Sequence, residues 1–179
     1  MGYETIFEGE FKLDRPLTEE QYEYLSNFME SRHVVFDREK IDRVDHSYFK
    51  FLDLPEKLGL GLGNDLCFVV DGPFPDGHFV LDSNESPASV PCLWCPWEIR
   101  SDRQTIAWNG DLNATDCVEW IQFLVHRILV PWGYQISGKV TWSGEYDDDK
   151  GYIEIKKGKI RVYEVKLTYV LAFEEKVGG

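Results

Sequence analysis

The sequence predicts an α+β domain, with a mainly antiparallel sheet and two helices packed on one face of the sheet. Two stretches, near residues 18–31 and 114–130, combine a capping residue with apolar side chains at helical spacing, which predicts the helices. The run Tyr134–Trp142 alternates apolar and polar residues, as a strand with one buried face does. The chain has 179 residues, which suits a single domain over residues 1–179.

The first strand and the first helix follow each other closely. Thr5–Leu13 places apolar residues at alternating positions, which predicts a half-buried strand. Thr18 can cap a helix with its hydroxyl, and Gln21, three residues later, can complete a capping box. The apolar stripe of this helix consists of Tyr22, Leu25, Phe28 and Met29.

The middle of the chain is rich in loop-forming residues. The glycine run Leu58–Gly63 predicts a loop, and Cys67–Val70 predicts a short strand. Four prolines punctuate Asp71–Pro91, which predicts a long ordered loop with one extended piece, His78–Leu81. Loops of this length in a compact domain tend to be functional or mobile.

The second half of the chain opens with a hairpin and a helix. The hairpin joins Leu93–Ile99 to Gln104–Trp108. Asn113, Thr115 or Asp116 can cap the helix that follows, and its core face carries regularly spaced aliphatic residues.

Three strands complete the chain. After Tyr134–Trp142, an acidic turn leads to Tyr152–Ile155, and Lys157-Gly158 predicts a tight turn into a last long strand. One face of that strand would carry Tyr163, Val165, Leu167, Tyr169, Leu171 and Phe173. The order strand, helix, strands, helix, three strands favours a split β-α-β plan with a C-terminal β-hairpin added.

The formal net charge of −13 argues against two classes of partner. Proteins that bind nucleic acid neutralise phosphates with Lys and Arg, so we expect no direct nucleic-acid binding. The charge also argues against an anionic membrane surface, and no apolar run approaches the ~20 residues of a membrane helix. The N-terminus lacks the regions of a signal peptide, so we expect a cytoplasmic protein. The acidic surface either keeps the protein soluble or mimics an anionic surface such as DNA.

The cysteines and the acidic turn are the two candidate metal sites. Cys92 and Cys95 form a CxxC pair, but neither a second pair nor a paired histidine motif follows. Pro91 and Pro96 bracket the pair in an extended segment, whereas a thioredoxin site opens a helix. The turn Glu145–Asp149 fails the EF-hand pattern and predicts a solvated hairpin turn. We therefore expect buried thiols and no disulfide, metal or cofactor.

The tryptophans supply the candidate ligand site. All six lie between Trp94 and Trp142. They either form a platform that stacks a base or another planar ligand, or they belong to a larger core in the second half of the chain. The platform hypothesis places a pocket under the loop Asp71–Pro91. Its ligand-binding residues would be Asp82, Asn84, Trp94 and Trp97.

The spacing within this candidate site is its weak feature. Alternation along a strand would point Trp94 and Trp97 to opposite faces of the sheet, unless Pro96 introduces a bulge. Neither H-E-x-x-H nor G-x-S-x-G occurs in the chain, so no catalytic residue is predicted.

Several strings of the sequence carry a family resemblance. They are Met1–Thr5, Phe7–Leu17, Leu93–Trp97, Val118–Ile121, Pro131–Tyr134, Gly138–Glu145 and Asp148–Gly151. Through them the chain resembles a family of small, acidic, uncharacterised proteins from phages, prophages and bacteria such as actinomycetes. Residues 32–75 match that family poorly. The resemblance implies an accessory gene of mobile elements, and it supplies no catalytic residue.

Three classes of function are open, ranked here in order. The first is a phage-type accessory protein that acts as a protein-interaction module on a host or bacterial protein, for example as an inhibitor of a host factor or a defence system. The second is a protein that binds a nucleotide-like small molecule in a Trp-rich pocket. The third is an enzyme whose site is assembled from scattered residues, and the missing motifs make it the least favoured.

Overall fold

The structure is a computed structural model, and it describes residues 3–36, 80–82 and 84–168. The predictions for Leu58–Gly63, for Cys67–Val70 and for residues 71–79 and 83 of the loop Asp71–Pro91 lie outside the described residues. The part of the last predicted strand that follows Thr168 also lies outside them.

Eight strands and two helices make up the described part of the chain. The strands are β1 (Ile6–Leu13), β2 (Val35–Phe36), β3 (Val80–Asp82), β4 (Trp97–Ile99), β5 (Thr105–Trp108), β6 (Ile136–Ser143), β7 (Lys150–Lys156) and β8 (Lys159–Glu164). The helices are α1 (Glu19–Glu30) and α2 (Cys117–Phe123), and α2 continues into a π-helical segment, Leu124–Leu129.

The predicted α+β class is confirmed. Six strands form one antiparallel sheet in the order β4-β5-β1-β6-β7-β8, and β2 pairs with β3 in a separate two-stranded sheet. The strand β6, which has the clearest alternation in the sequence, lies between β1 and β7 in the interior of the large sheet. The split β-α-β plan stays a prediction.

One face of the large sheet and both helices share an apolar core. Phe11 on β1 and Val140 on β6 are fully buried, and so are Phe28 on α1 and Trp120 on α2. Each large apolar side chain buried in this way contributes roughly 1.5–3 kcal/mol relative to an exposed one. The two helices are therefore held against the same face of the sheet that the alternation of β6 predicts to be buried.

Helix α1 begins as the sequence predicts. The backbone N–H of Gln21 donates to the Thr18 hydroxyl at 3.2 Å, and the Thr18 backbone N–H donates to the Gln21 side chain at 3.2 Å. This reciprocal pair is the predicted capping box, and it satisfies two of the N–H groups that a helix start leaves free. The hydroxyl of Tyr134 donates to Gln21 at 2.6 Å, which ties the helix start to the segment before β6.

The second helix differs from its prediction in where it begins and in the bonding of its second half, whereas its end, at Leu129, lies within one residue of the predicted end. It begins at Cys117, later than predicted, and Asp116 before it has a left-handed backbone and makes no capping bond. The second half is π-helical, with the Val130 N–H donating to the Val125 carbonyl at 2.9 Å. Pro131 follows directly, and it cannot continue the helical bonding pattern.

Two predicted strands are shorter than expected. The strand β4 begins at Trp97 rather than Leu93, because Pro96 has no N–H to donate to a ladder. The last strand, β8, ends at Glu164, and residues 165–168 are not in a strand. The shift in β4 matters for function because Trp94 then lies in a turn instead of a strand.

No helix in the described ranges is both long enough and apolar enough to cross a membrane.

Candidate functional site

Trp94 is the most exposed tryptophan among the described residues. Its side chain is 52% exposed, whereas Trp97, three residues later, is only 1% exposed. Trp94 directly precedes Cys95, which is buried, and Pro96 separates Cys95 from Trp97. The turn Cys92–Cys95 therefore leaves the Trp94 indole exposed, and the strand that follows it begins with Trp97 in the core.

The backbone of this turn is held by hydrogen bonds to its carbonyl groups. The His33 N–H donates to the Leu93 carbonyl at 2.8 Å, and the Cys92 thiol donates to the Trp94 carbonyl at 3.3 Å. Asn109 supplies two more bonds, from its side-chain amide to Cys95 at 3.1 Å and from its backbone N–H to Pro96 at 3.0 Å. Because successive carbonyls are satisfied, Trp94 is presented on a fixed support.

The two thiols of the CxxC pair differ in burial, and both make hydrogen bonds within the protein. Cys95 is buried, and Cys92 accepts a hydrogen bond from the Trp120 indole N–H at 3.1 Å. Cys92, Cys95 and Cys117 are free thiols. Burial raises the pKa of Cys95 well above its usual range and that of Cys117 to about 12. These thiols are packing groups, and the described residues contain no cluster of three potential metal ligands.

Trp97 does not offer a stacking face to a ligand. Its ring packs against Phe7 and Phe11, with centroid distances of 5.9 and 5.5 Å, and its indole N–H donates to the Cys117 carbonyl at 2.9 Å. The two tryptophans separate as alternation suggested, although the cause is the turn before β4 rather than a continuous strand. Of the predicted pair, only Trp94 is available to stack on a ligand.

Asp82, Asn84 and Trp94 are linked through Arg32, a residue outside the predicted site. The Asp82 carboxylate accepts the backbone N–H of Asn84 at 2.7 Å, which orients Asn84 as in an Asx turn. The Arg32 guanidinium donates to the Asn84 side-chain oxygen at 3.4 Å. Its Cζ lies 5.9 Å from the centroid of the Trp94 ring. Three of the four predicted residues therefore lie on one surface.

Two cavities flank Trp94. The first holds about 340 Å³ and is lined by loop residues that include Asn84, Trp94, Asp111 and Asn113. The second holds about 290 Å³ and lies between the end of α1 and the start of β4. Its lining includes Met29, Glu30, Trp94, Trp97, Glu98 and Asp111. Trp94 and Asp111 belong to both linings, so the two cavities meet at this exposed indole, which we call the Trp94 ridge.

The charged residues that line the two cavities are acidic among the described residues, although Arg32 lies beside them on the same surface. Among the described residues, no Lys, Arg or His lines either cavity, while Glu30, Glu98 and Asp111 bring carboxylates. Glu98 is paired with Arg100. Within the described residues, no salt bridge pairs Glu30 or Asp111.

Elsewhere the described surface mixes charges of both signs. On the outer face of the sheet, Arg161 lies 3.5 Å from Glu154, and the Lys139 ammonium lies 3.7 Å from the centroid of the Tyr152 ring. The acidic turn after β6 is bridged by Lys150, which lies 3.0 Å from Asp147. A continuous acidic face, as mimicry of DNA requires, is therefore not the arrangement of this side of the sheet.

Sequence reasoning missed Arg32 and Asp111. Both are single charged residues in stretches without a motif, and their positions depend on contacts over long sequence separations. No family model, no curated protein and no solved structure matches the chain. The phage-type family resemblance therefore stays a prediction.

Proposed function

We propose that the protein is an interaction module that captures a partner through the Trp94 ridge and its two flanking cavities. The observation that carries the proposal is the 52% exposure of Trp94 on a turn whose carbonyls are hydrogen-bonded. An indole held in water gains free energy when a partner covers it. Because its support is already ordered, little conformational entropy is lost on binding.

The composition of the ridge agrees with this proposal. Tryptophan is among the residues that dominate binding energy in protein interfaces, and here the Trp94 side chain is 52% exposed. The cavities hold about 340 and 290 Å³, which suits one or two side chains or a small ring on each side of the indole. Phage origin and inhibition of a host factor or defence system belong to the same proposal, and they rest on the sequence resemblance alone.

The test uses an immobilised panel of peptides of varied charge and hydrophobicity. We expect a subset to retain the wild-type protein and to lose it when Trp94 is replaced in Trp94→Ala. Tyr146→Ala is the matched control, because Tyr146 is an aromatic residue that is 65% exposed at another site. The proposal fails if every peptide retained by the wild type is retained equally by Trp94→Ala.

A small-molecule ligand is the second candidate, and it is favoured by the polar lining of the first cavity. Asn84, Ser86, Asn113 and Thr115 provide amide and hydroxyl groups beside the indole. Such a mixture of a flat apolar wall and a few polar groups is typical of small-ligand sites. Nucleotides and cyclic nucleotides are the first probes, with the melting temperature as readout. A shift in the wild type that Trp94→Ala removes would favour this candidate over the interaction module.

A further inference from the structure

The second cavity has the chemistry of a cation site. A group entering it meets the Trp94 indole together with the carboxylates of Glu30 and Asp111, for which no cationic partner occurs in the described ranges. Among the described residues, the Glu30 carboxylate accepts only a neutral donor, the Ser26 hydroxyl, at 3.3 Å. An aromatic face combined with unpaired carboxylates attracts organic cations and repels phosphate or carboxylate ligands.

The molecule already places one guanidinium on this surface. Arg32 lies over the Trp94 ring at 5.9 Å, close to the limit of about 6 Å for cation–π attraction, and its bond to Asn84 is long at 3.4 Å. Both contacts are at the weak end of their ranges, and Arg32 is exposed. The contact shows that the surface accepts an arginine, and its geometry allows another group to displace it.

We infer that the group captured at the Trp94 ridge is an arginine side chain of a basic partner segment, and that Arg32 competes with it from within the chain. This inference rests on the proposed function and adds the chemistry of the partner. Arginine is favoured over lysine because its planar guanidinium both stacks on an indole and pairs with a carboxylate through two parallel N–H groups. The net charge of −13 adds a long-range attraction for a basic segment.

The experiment compares three synthetic peptides that differ only in the residue placed at the arginine positions. The first is a flexible Gly/Ser peptide with several arginines, the second replaces every arginine by lysine, and the third replaces every arginine by citrulline. Citrulline keeps the planar shape and removes the charge. We expect the arginine peptide to bind the wild-type protein at least about tenfold more tightly than the citrulline peptide, and more tightly than the lysine peptide. Raising the salt concentration should weaken the binding of the arginine peptide.

Two variants of the full chain test whether Arg32 competes with the arginine of the partner. Arg32→Ala should bind the arginine peptide about two- to fivefold more tightly than the wild type, because a weak internal contact no longer has to be broken. Arg127→Ala is the matched control, since it removes the same charge from an exposed position that lines neither cavity. Equal effects of the two substitutions would show a general charge effect and would overturn the role of Arg32.

The outcomes separate this inference from the proposed function. Equal binding of arginine and citrulline peptides overturns the arginine chemistry. If neutral peptides from the panel still depend on Trp94 in that case, the interaction module stands without it. If no peptide of any charge distinguishes the wild type from Trp94→Ala, both are wrong.

Discussion

The backbone N–H of His33 donates to the carbonyl of Leu93 at 2.8 Å, and this bond joins the end of α1 to the turn that carries Trp94. The His33 ring is enclosed between Phe28 and Trp120, at centroid distances of 4.5 and 4.9 Å. Arg32 precedes His33 directly, so fixing His33 brings Arg32 to Trp94. The geometry of the proposed site therefore depends on a histidine in the core.

Protonation of His33 should destabilise the fold. Burial lowers its pKa to about 4, and a bond to the Phe28 backbone only partly opposes this shift. Between about pH 6.5 and pH 4 the unfolded chain binds a proton that the folded chain does not, so stability is lost as the pH falls through this window. The loss reaches about 3 kcal/mol at pH 4 and below.

Urea unfolding between pH 7 and pH 4 measures this loss. His33→Phe keeps an aromatic ring and should remove most of the slope between pH 6.5 and pH 4, leaving the loss caused by carboxylates such as Asp14 and Asp102, whose pKa values are lowered. His126→Gln removes an exposed histidine and serves as the control. A slope that is the same in His33→Phe and in the wild type would show that His33 does not control the pH dependence.

Substitutions of Trp94 and Trp97 should differ sharply in their effect on the free energy of unfolding. Trp97→Ala removes a ring that is 1% exposed and should cost about 3–5 kcal/mol of unfolding free energy. Trp94→Ala removes a half-exposed ring and should cost about 1 kcal/mol or less. Denaturant unfolding of both variants at pH 7 tests this difference, and similar costs would mean that Trp94 belongs to the core.

Features that depend on residues close together in the sequence were predicted well, and features that depend on distant residues were not. Local signals predicted α1 and its capping box correctly, because Thr18 and Gln21 act within one helical turn. The alternation of β6 predicted its buried face correctly, because it too is a pattern of neighbouring residues. Asn84 and Trp94 were predicted from the sequence to lie in one candidate site. Arg32 and Asp111 reach Trp94 from distant parts of the chain, so no local pattern could indicate them.

Glycine at position 138 should be needed for the pairing of β1 with β6. Gly138 has φ +146°, and a Cβ atom there would overlap the Glu10 carbonyl oxygen on β1. Gly138→Ala should therefore cost about 2 kcal/mol or more. Gly158, with φ +70° in the turn between β7 and β8, has open space around the same position. Gly158→Ala should cost about 1 kcal/mol, and equal costs in thermal or urea unfolding would contradict the close strand approach.

The thiols of the turn should differ in their reactivity. Cys95 and Cys117 are buried and their pKa values are raised, so alkylation of the native protein at pH 8 should leave both unmodified. Cys92 is only half-buried and should react first among the three. Peptide mapping by mass spectrometry, with denatured protein as the control, identifies the modified residue. Rapid labelling of Cys95 in the native state would show that the turn opens.

The most direct test of the Trp94 ridge follows the indole N–H signals of the six tryptophans by NMR while a retained peptide from the panel is added. The Trp94 signal, assigned with Trp94→Phe, should shift progressively. The signals of Trp97 and Trp120 should remain in place, because their N–H groups are bonded to the Cys117 carbonyl and the Cys92 thiol inside the protein. A Trp94 signal that stays unchanged while the peptide binds would contradict the account.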